Sequence, residues 1–148
     1  MSGARPVYIS YYLGETEEGR QMLQEILEQV NGVLFTGGNL TLIDKETGEQ
    51  HPYYKTAKLI VEYCVRLKDT SGVELPILAI CQGFELIGIV ACDDSKDLLK
   101  HVAVVFQKLP VSWVWPVEEV NQKCRTFSLH STEIIEKMSK DELTIHLH

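Results

Sequence analysis

The residues best suited to chemistry lie in one stretch, Leu75-Pro-Ile-Leu-Ala-Ile-Cys81-Gln-Gly-Phe-Glu85. The short apolar run Ile77 to Ile80 reads as a strand covered on both faces, as in a parallel sheet. Pro76 stands at its first position, where a missing N–H does least harm. Gly83 follows Cys81 by two residues, as in a nucleophile elbow, where a strand turns abruptly into a helix. Such a turn lifts the apical thiol above the sheet and aims the first helical N–H groups at it. Those orphan donors can favour a thiolate and hold an oxyanion. The plain alternative is a small buried apolar cysteine; the flanking turn favours the nucleophile, although Ala79 stands where an elbow usually has its first glycine.

A second candidate is Thr36-Gly37-Gly38-Asn39, directly after the short apolar run Val33-Leu-Phe35. Paired glycines let a backbone approach a ligand closely. The loop falls at the carboxyl end of a strand, the edge where open α/β sheets bind ligands. A tight turn of no further consequence is the competing reading, and the Gly-Gly pair gains weight because Cys81 falls at the same kind of edge.

The elements that must position these residues follow from periodicity. Arg5 to Leu13 reads as a strand running into a loop, with Val7 and Ile9 on one face and Tyr8 on the other. Thr16 caps a helix with Glu17 and Glu18 in its first turn. Met22, Leu23, Ile26, Leu27 and Val30 form its apolar face, and Gly32 is a candidate left-handed cap after Asn31. Asp44 to Gly48 predicts an exposed hairpin or loop. Tyr53 to Lys68 predicts a helix with a core stripe of Ala57, Ile60, Val61, Cys64 and Val65, closed by Asp69-Thr-Ser-Gly72. The helix after Cys81 runs from about Gln82 to Ala91 and is apolar nearly all round. Leu98 to Val105 alternates like a strand. Pro110 to Pro116 is a weak strand or aromatic loop, its tryptophans there for packing, and Phe127 to Leu129 is extended. Ser131 or Thr132 caps a helix from Glu133 to Met138, and Leu143 to His148 alternates like a terminal edge strand.

The chain has 148 residues, a net charge of −7 and an apolar fraction of 45%. This suits one globular domain with an ordinary core and disfavours nucleic acid or anionic membrane as partner. No apolar run is long enough to span a bilayer, and Met1 to Pro6 has no apolar signal-peptide core. The four cysteines lack metal or disulfide spacing, so the expectation is no metal, no cofactor, and reduced thiols in a cytosolic setting by default.

Three segments together carry a family resemblance: Val33-Leu-Phe-Thr-Gly-Gly38, Tyr53-Tyr-Lys-Thr-Ala-Lys58 and Ile80-Cys-Gln-Gly-Phe-Glu85. They resemble the γ-glutamyl hydrolases, cysteine-type omega peptidases with the fold of class I glutamine amidotransferases. The match is good from Ala4 to Ile89 and traceable to Met138. It implies an α/β three-layer sandwich with a mainly parallel, flavodoxin-like sheet, of which residues 1–148 are one partial domain shortened at both ends. It implies hydrolysis of γ-glutamyl bonds, in folate polyglutamates or related conjugates, through a Cys81 thioester. The oxyanion would be held by the N–H of Gln82 and an N–H at Gly37 or Gly38. Glu85, one turn along, would orient a group in the site, or be only a carboxylate near a positive helix end. The partner implied is a small γ-glutamyl substrate, with a homodimer left open. Family members are usually lysosomal, vacuolar or extracellular.

The departures are specific. The family's general base lies in a string like Gln-Trp-His-Pro-Glu, which this sequence lacks. A second family histidine maps near Arg125. The histidines present are His51, His101, His130, His146 and His148, each read as a surface or edge residue. Two alternatives follow. One is a non-catalytic domain that binds a γ-glutamyl or glutamate ligand or a partner subunit. The other is an amidotransferase glutaminase, disfavoured by Phe84-Glu85. A histidine near the thiol separates the enzyme from the binding domain.

Overall fold

In the computed structural model, residues 3–44, 46–92, 94, 99, 107–142 and 144–146 are described. They fall into two compact units, 1–99 and 100–148.

The first unit contains α1 (Glu17–Leu27), β1 (Val33–Phe35), α2 (Pro52–Ser71), β2 (Ile77–Ala79) and α3 (Gln82–Ala91). β1 and β2 pair in parallel, Val33 opposite Ile77 and Phe35 opposite Ala79. The period of a strand sends alternate side chains to opposite faces. Val33 and Phe35 enter the core, while Leu34 and Leu78 stay more than half exposed. The core collects on one face of the pair, from Leu23 and Leu27 of α1, Tyr54, Ala57, Ile60 and Cys64 of α2, and Leu86 and Ile89 of α3. The described residues therefore build two layers, helices on one face of a small parallel sheet.

Local chemistry explains most boundaries. The Thr16 hydroxyl accepts the Gly19 N–H at 3.1 Å and starts α1. α2 begins on His51, whose Nδ1 accepts the Tyr53 N–H at 3.1 Å, with Pro52 at a position that needs no donor. It ends on Gly72 in the left-handed region, φ 70°, at no steric cost to glycine. Asp44 and Gly48 close the expected hairpin, joined by an Ile43–Gln50 bridge.

Several expectations do not hold. Arg5 to Leu13 forms no strand; Leu13–Glu15 is a 3₁₀ turn and residues 5–8 are exposed. The segment is held by a side chain instead of a ladder. The buried Thr56 hydroxyl donates to the Tyr11 carbonyl at 2.7 Å and accepts the Gly14 N–H at 2.9 Å. α1 stops at Leu27 on Glu28, a right-handed cap, and Gly32 does not take a positive φ. Gly32 instead lies against the Pro76 carbonyl where the two strands enter the sheet; an added Cβ would meet that oxygen at 3.2 Å. Met22 and Val65 are 54% exposed, because each flanks an apolar stripe narrower than the pattern suggested. α3 is not covered all round, since Phe84 is 69% exposed.

Beyond α3 the chain turns at Asp94, φ 62°. Its carboxylate accepts from the Tyr54 hydroxyl and pairs with the Lys58 ammonium, tying the turn to α2. The Lys58 bond and then the Tyr54 bond hold the Asp94 carboxyl below its ordinary range. Burial, then Asp94, push the Tyr54 phenol up.

The second unit contains β3 (Gln107–Leu109), α4 (Val117–Lys123), α5 (Thr132–Lys140) and β4 (Thr144–His146), with β3 and β4 antiparallel. The terminal strand is present within Leu143 to His148. The strand expected at Leu98 to Val105 lies outside the described residues, apart from Leu99. Val120 and Ile135 are fully buried. Ser131 caps α5, accepting the Ile134 N–H at 3.4 Å. Phe127 to Leu129 is not extended: Arg125–Phe127 is a 3₁₀ turn, in which Phe127 meets Trp113 edge-on at 4.9 Å. Trp113 donates to the Ser139 hydroxyl at 2.7 Å, a packing role as expected.

Two tests follow from this scaffold. Thr56→Val should destabilise the protein by about 1–3 kcal/mol in urea denaturation, because it strands the buried Gly14 N–H. Asp94 supplies stability that is present above the ordinary carboxylate pKa, about 4, and lost as pH falls through its depressed folded value. The stability difference between wild type and Asp94→Asn should therefore be flat from about pH 5 to 8 and shrink below about pH 4. A difference that widens on acidification would contradict this.

Candidate active site

The strand–turn–helix at Cys81 is built from backbone bonds. The Ile80 N–H donates to the Phe35 carbonyl at 3.0 Å, extending the contact of the two strands by one residue. The Gly83 N–H donates to Ile80 at 3.0 Å, and the Phe84 and Glu85 N–H groups donate to Cys81 at 2.8 and 3.1 Å. Closing these bonds within so few residues forces Cys81 to φ 55°, ψ −124°. An L-residue with a Cβ seldom adopts this region, and strain of this kind costs about 1–3 kcal/mol. The result is an exposed thiol at the apex.

Gly83 makes the turn feasible. A Cβ on it would fall 2.7 Å from the Phe35 carbonyl oxygen and 2.8 Å from the Phe35 Cβ. The first turn of α3 thus rests on the backbone of β1, with no room for a side chain between them.

That contact brings the Gly-Gly loop beside the thiol. A Cβ on Gly37 would lie 3.0 Å from the Cys81 Cβ and 3.3 Å from Sγ. A Cβ on Gly38 would lie 3.2 Å from Oε1 of Gln82. The backbone N–H groups of Gly37, Gly38 and Gln82 take no acceptor among the described residues. Three unclaimed donors therefore flank the elbow. Glu85 is half-buried on the first turn of α3, and its carboxylate makes no hydrogen bond or ion pair among the described residues.

A group missed by the sequence reading borders this loop. The Tyr53 hydroxyl donates to the Thr36 carbonyl at 3.4 Å. Its ring lies 6.5 Å from Tyr11, which in turn lies 5.6 Å from His51. The available signal was the clustering of Tyr11-Tyr12 and His51-Pro-Tyr-Tyr54 on either side of a predicted loop edge.

The histidines divide as follows. His51 Nδ1 is engaged by the Tyr53 N–H at the start of α2. The His130 ring lies 5.4 Å from the Phe127 ring, tilted by 60°. His146 contributes its backbone to β4; His101 and His148 lie outside the described residues. Cys64, by contrast with Cys81, is buried, and burial raises its thiol pKa. Among the described residues no cluster of three metal-ligating side chains occurs, and no helix is long and apolar enough to cross a membrane.

A sharp strand–cysteine–helix turn facing a glycine loop defines a class, α/β proteins of the nucleophile-elbow type. Within that class the chain belongs to the peptidase C26 family, whose model matches residues 1–144. It is 28% identical over 146 residues to γ-glutamyl hydrolase 1 of Arabidopsis thaliana, covering 99% of this chain and 37% of that protein. It is 28% identical over 146 residues to the probable γ-glutamyl hydrolase 3 of the same plant, covering 99% of this chain and 36% of the relative. It is 29% identical over 147 residues to the γ-glutamyl hydrolase of Glycine max, covering 99% and 37%. The chain thus spans little more than a third of the length of these curated relatives. No solved structure matches it significantly.

Strain at Cys81 has a measurable signature. Glycine adopts the Cys81 backbone conformation freely, at about 0.5–1 kcal/mol of extra chain entropy. Cys81→Gly should therefore raise stability by up to about 2 kcal/mol, whereas Cys81→Ser, which keeps the Cβ, should stay within about 0.5 kcal/mol. Urea denaturation of the two variants checks this; equal midpoints would remove the strain from the account.

Proposed function

We propose that this chain carries the nucleophile of a cysteine hydrolase of γ-glutamyl bonds, acting on folate polyglutamates or related conjugates. The observation that carries the reading is the exposed, backbone-strained Cys81 with the Gly37 loop so near that a Cβ there would lie 3.3 Å from its sulfur. Peptidase C26 membership supports it. Cys81 Sγ attacks the γ-amide carbonyl carbon. The carbonyl π bond opens to an oxyanion, which the N–H groups of Gln82 and of Gly37 or Gly38 hold. The C–N bond then breaks, the amine leaves with a proton, and a γ-glutamyl thioester remains on Cys81. Water cleaves the thioester, releasing the γ-carboxylate and the thiol. Glu85, one turn along α3, orients a group in the site. No cofactor enters the scheme.

Both proton transfers need a base. The resemblance assigns it to a histidine in a string that this sequence lacks, and loss of a general base costs on the order of 10²–10⁴-fold in rate. Thioester formation, not turnover, is therefore the step to test. The second reading is a non-catalytic domain that binds a γ-glutamyl or glutamate ligand or a partner.

The complete architecture we propose is the three-layer sandwich of the class I amidotransferase fold, with residues 1–148 as part of one domain. The parallel pairing of β1 and β2 and the open face carrying Leu34 and Leu78 support it, since a strand pair with one bare apolar face is short of a layer.

Incubation with γ-glutamyl-p-nitroanilide, followed by acid quench and intact-mass analysis, should reveal one γ-glutamyl adduct, mapped by peptide digestion to Cys81 and absent in Cys81→Ser. Saturable ligand binding without any adduct would replace the hydrolase with the binding domain.

A further inference from the structure

Gln82 stands out as a buried polar side chain that the mechanism does not use, since the mechanism takes only its backbone N–H. Its relative exposure is 8%. Its side-chain amide makes two bonds to one residue of the opposite loop: Nε2 donates to the Leu40 carbonyl at 2.7 Å, and Oε1 accepts the Leu40 N–H at 2.9 Å. The side chain thus stands in for a peptide group of a neighbouring strand and satisfies both backbone groups of Leu40. Leu40 lies just past the Gly37-Gly38 pair, and the Tyr53 hydroxyl holds Thr36 on the near side of that pair. The glycines are therefore strung between two anchors, and the second is stronger by geometry, with two short bonds against one at 3.4 Å.

We infer that the Gln82 side chain is a positioning residue, which fixes the Gly37-Gly38 loop so that its free N–H groups stay beside Cys81. Gln82 then sets both halves of the oxyanion site, one through its own N–H at the elbow and the other through its amide grip on the facing loop. Glycines without Cβ atoms have the widest conformational freedom, so a loop built on them needs an external hold to keep donors pre-aimed. No other side chain among the described residues bonds to Leu40. The functional part of this inference rests on the hydrolase reading; the clamp itself does not.

The test separates the two. Gln82→Leu keeps the size of the side chain and removes both bonds. Gln82→Glu keeps its shape but sets a carboxylate oxygen against the Leu40 carbonyl. In hydrogen exchange read by NMR, both variants should lose protection of the Leu40 N–H by at least about tenfold relative to the amides of the α2 core. The rate of γ-glutamyl adduct formation should fall by roughly 10- to 100-fold, somewhat less than for deletion of an oxyanion donor. Alkylation of Cys81 by iodoacetamide generates no oxyanion and draws on these donors only through the thiolate, so it should fall by no more than about twofold. Unchanged Leu40 exchange overturns the clamp. Adduct formation that matches wild type, or that falls in step with alkylation, overturns its role in positioning. A wild-type chain that forms no adduct overturns the hydrolase reading alone, and Leu40 exchange then decides the clamp.

Discussion

Everything at the site depends on how closely α3 rests on β1. Gly83 meets Phe35 with no room for a Cβ, 2.7 Å from the Phe35 oxygen. A helix normally packs on a sheet through side chains, about 10 Å away. Here the first turn of the helix touches backbone directly. That contact drags the residue two places earlier into a conformation it would not otherwise adopt. Cys81 is strained because Gly83 is close, and it is exposed because the strain points it away from the core.

The same proximity decides what can face the thiol. With α3 seated on β1, the loop that continues β1 has only the elbow to run beside. A Cβ on Gly37 would crowd the Cys81 sulfur at 3.3 Å, so a larger residue there would force one of the two to shift. The unclaimed N–H groups of the loop and of Gln82 are the complement of that arrangement. Among the described residues they are donors that no protein group accepts. Stability and site are in tension, as they often are where backbone is held in a rare region. The buried cluster of Tyr54, Ala57, Ile60 and Leu86 supplies the burial that offsets the strain.

The sequence made parts of this legible because their causes are local. Thr16 and Ser131 cap helices with their own side chains, and Gly72 stops one because the chain there must go left-handed. The strand, turn and helix around Cys81 follow from an apolar run cut by a glycine at fixed distance. The failures share a cause as well. Arg5 to Leu13 has the alternation of a strand, yet a strand exists only where another lies beside it, and Thr56 claims the Tyr11 and Gly14 backbone groups first. Met22 and Val65 have the right spacing for a core, but how wide a stripe is covered depends on the neighbour, not on the helix. Phe127 to Leu129 is curled where Phe127 meets Trp113 edge-on, a pairing outside the local sequence window.

The amino-acid order alone determined that a cysteine would stand at a strand-to-helix turn and that a glycine pair would follow a neighbouring strand. Those are properties of short segments, set by the backbone freedom of glycine and by hydrophobic period. Only the tertiary structure decided that the Gly37-Gly38 loop runs beside Cys81, that the Gln82 amide grips Leu40 across the loop, and that the Thr56 hydroxyl holds the Tyr11 and Gly14 backbone. Each of these joins residues tens of positions apart. No local rule specifies such a distance; it is set by how closely one backbone can pack on another.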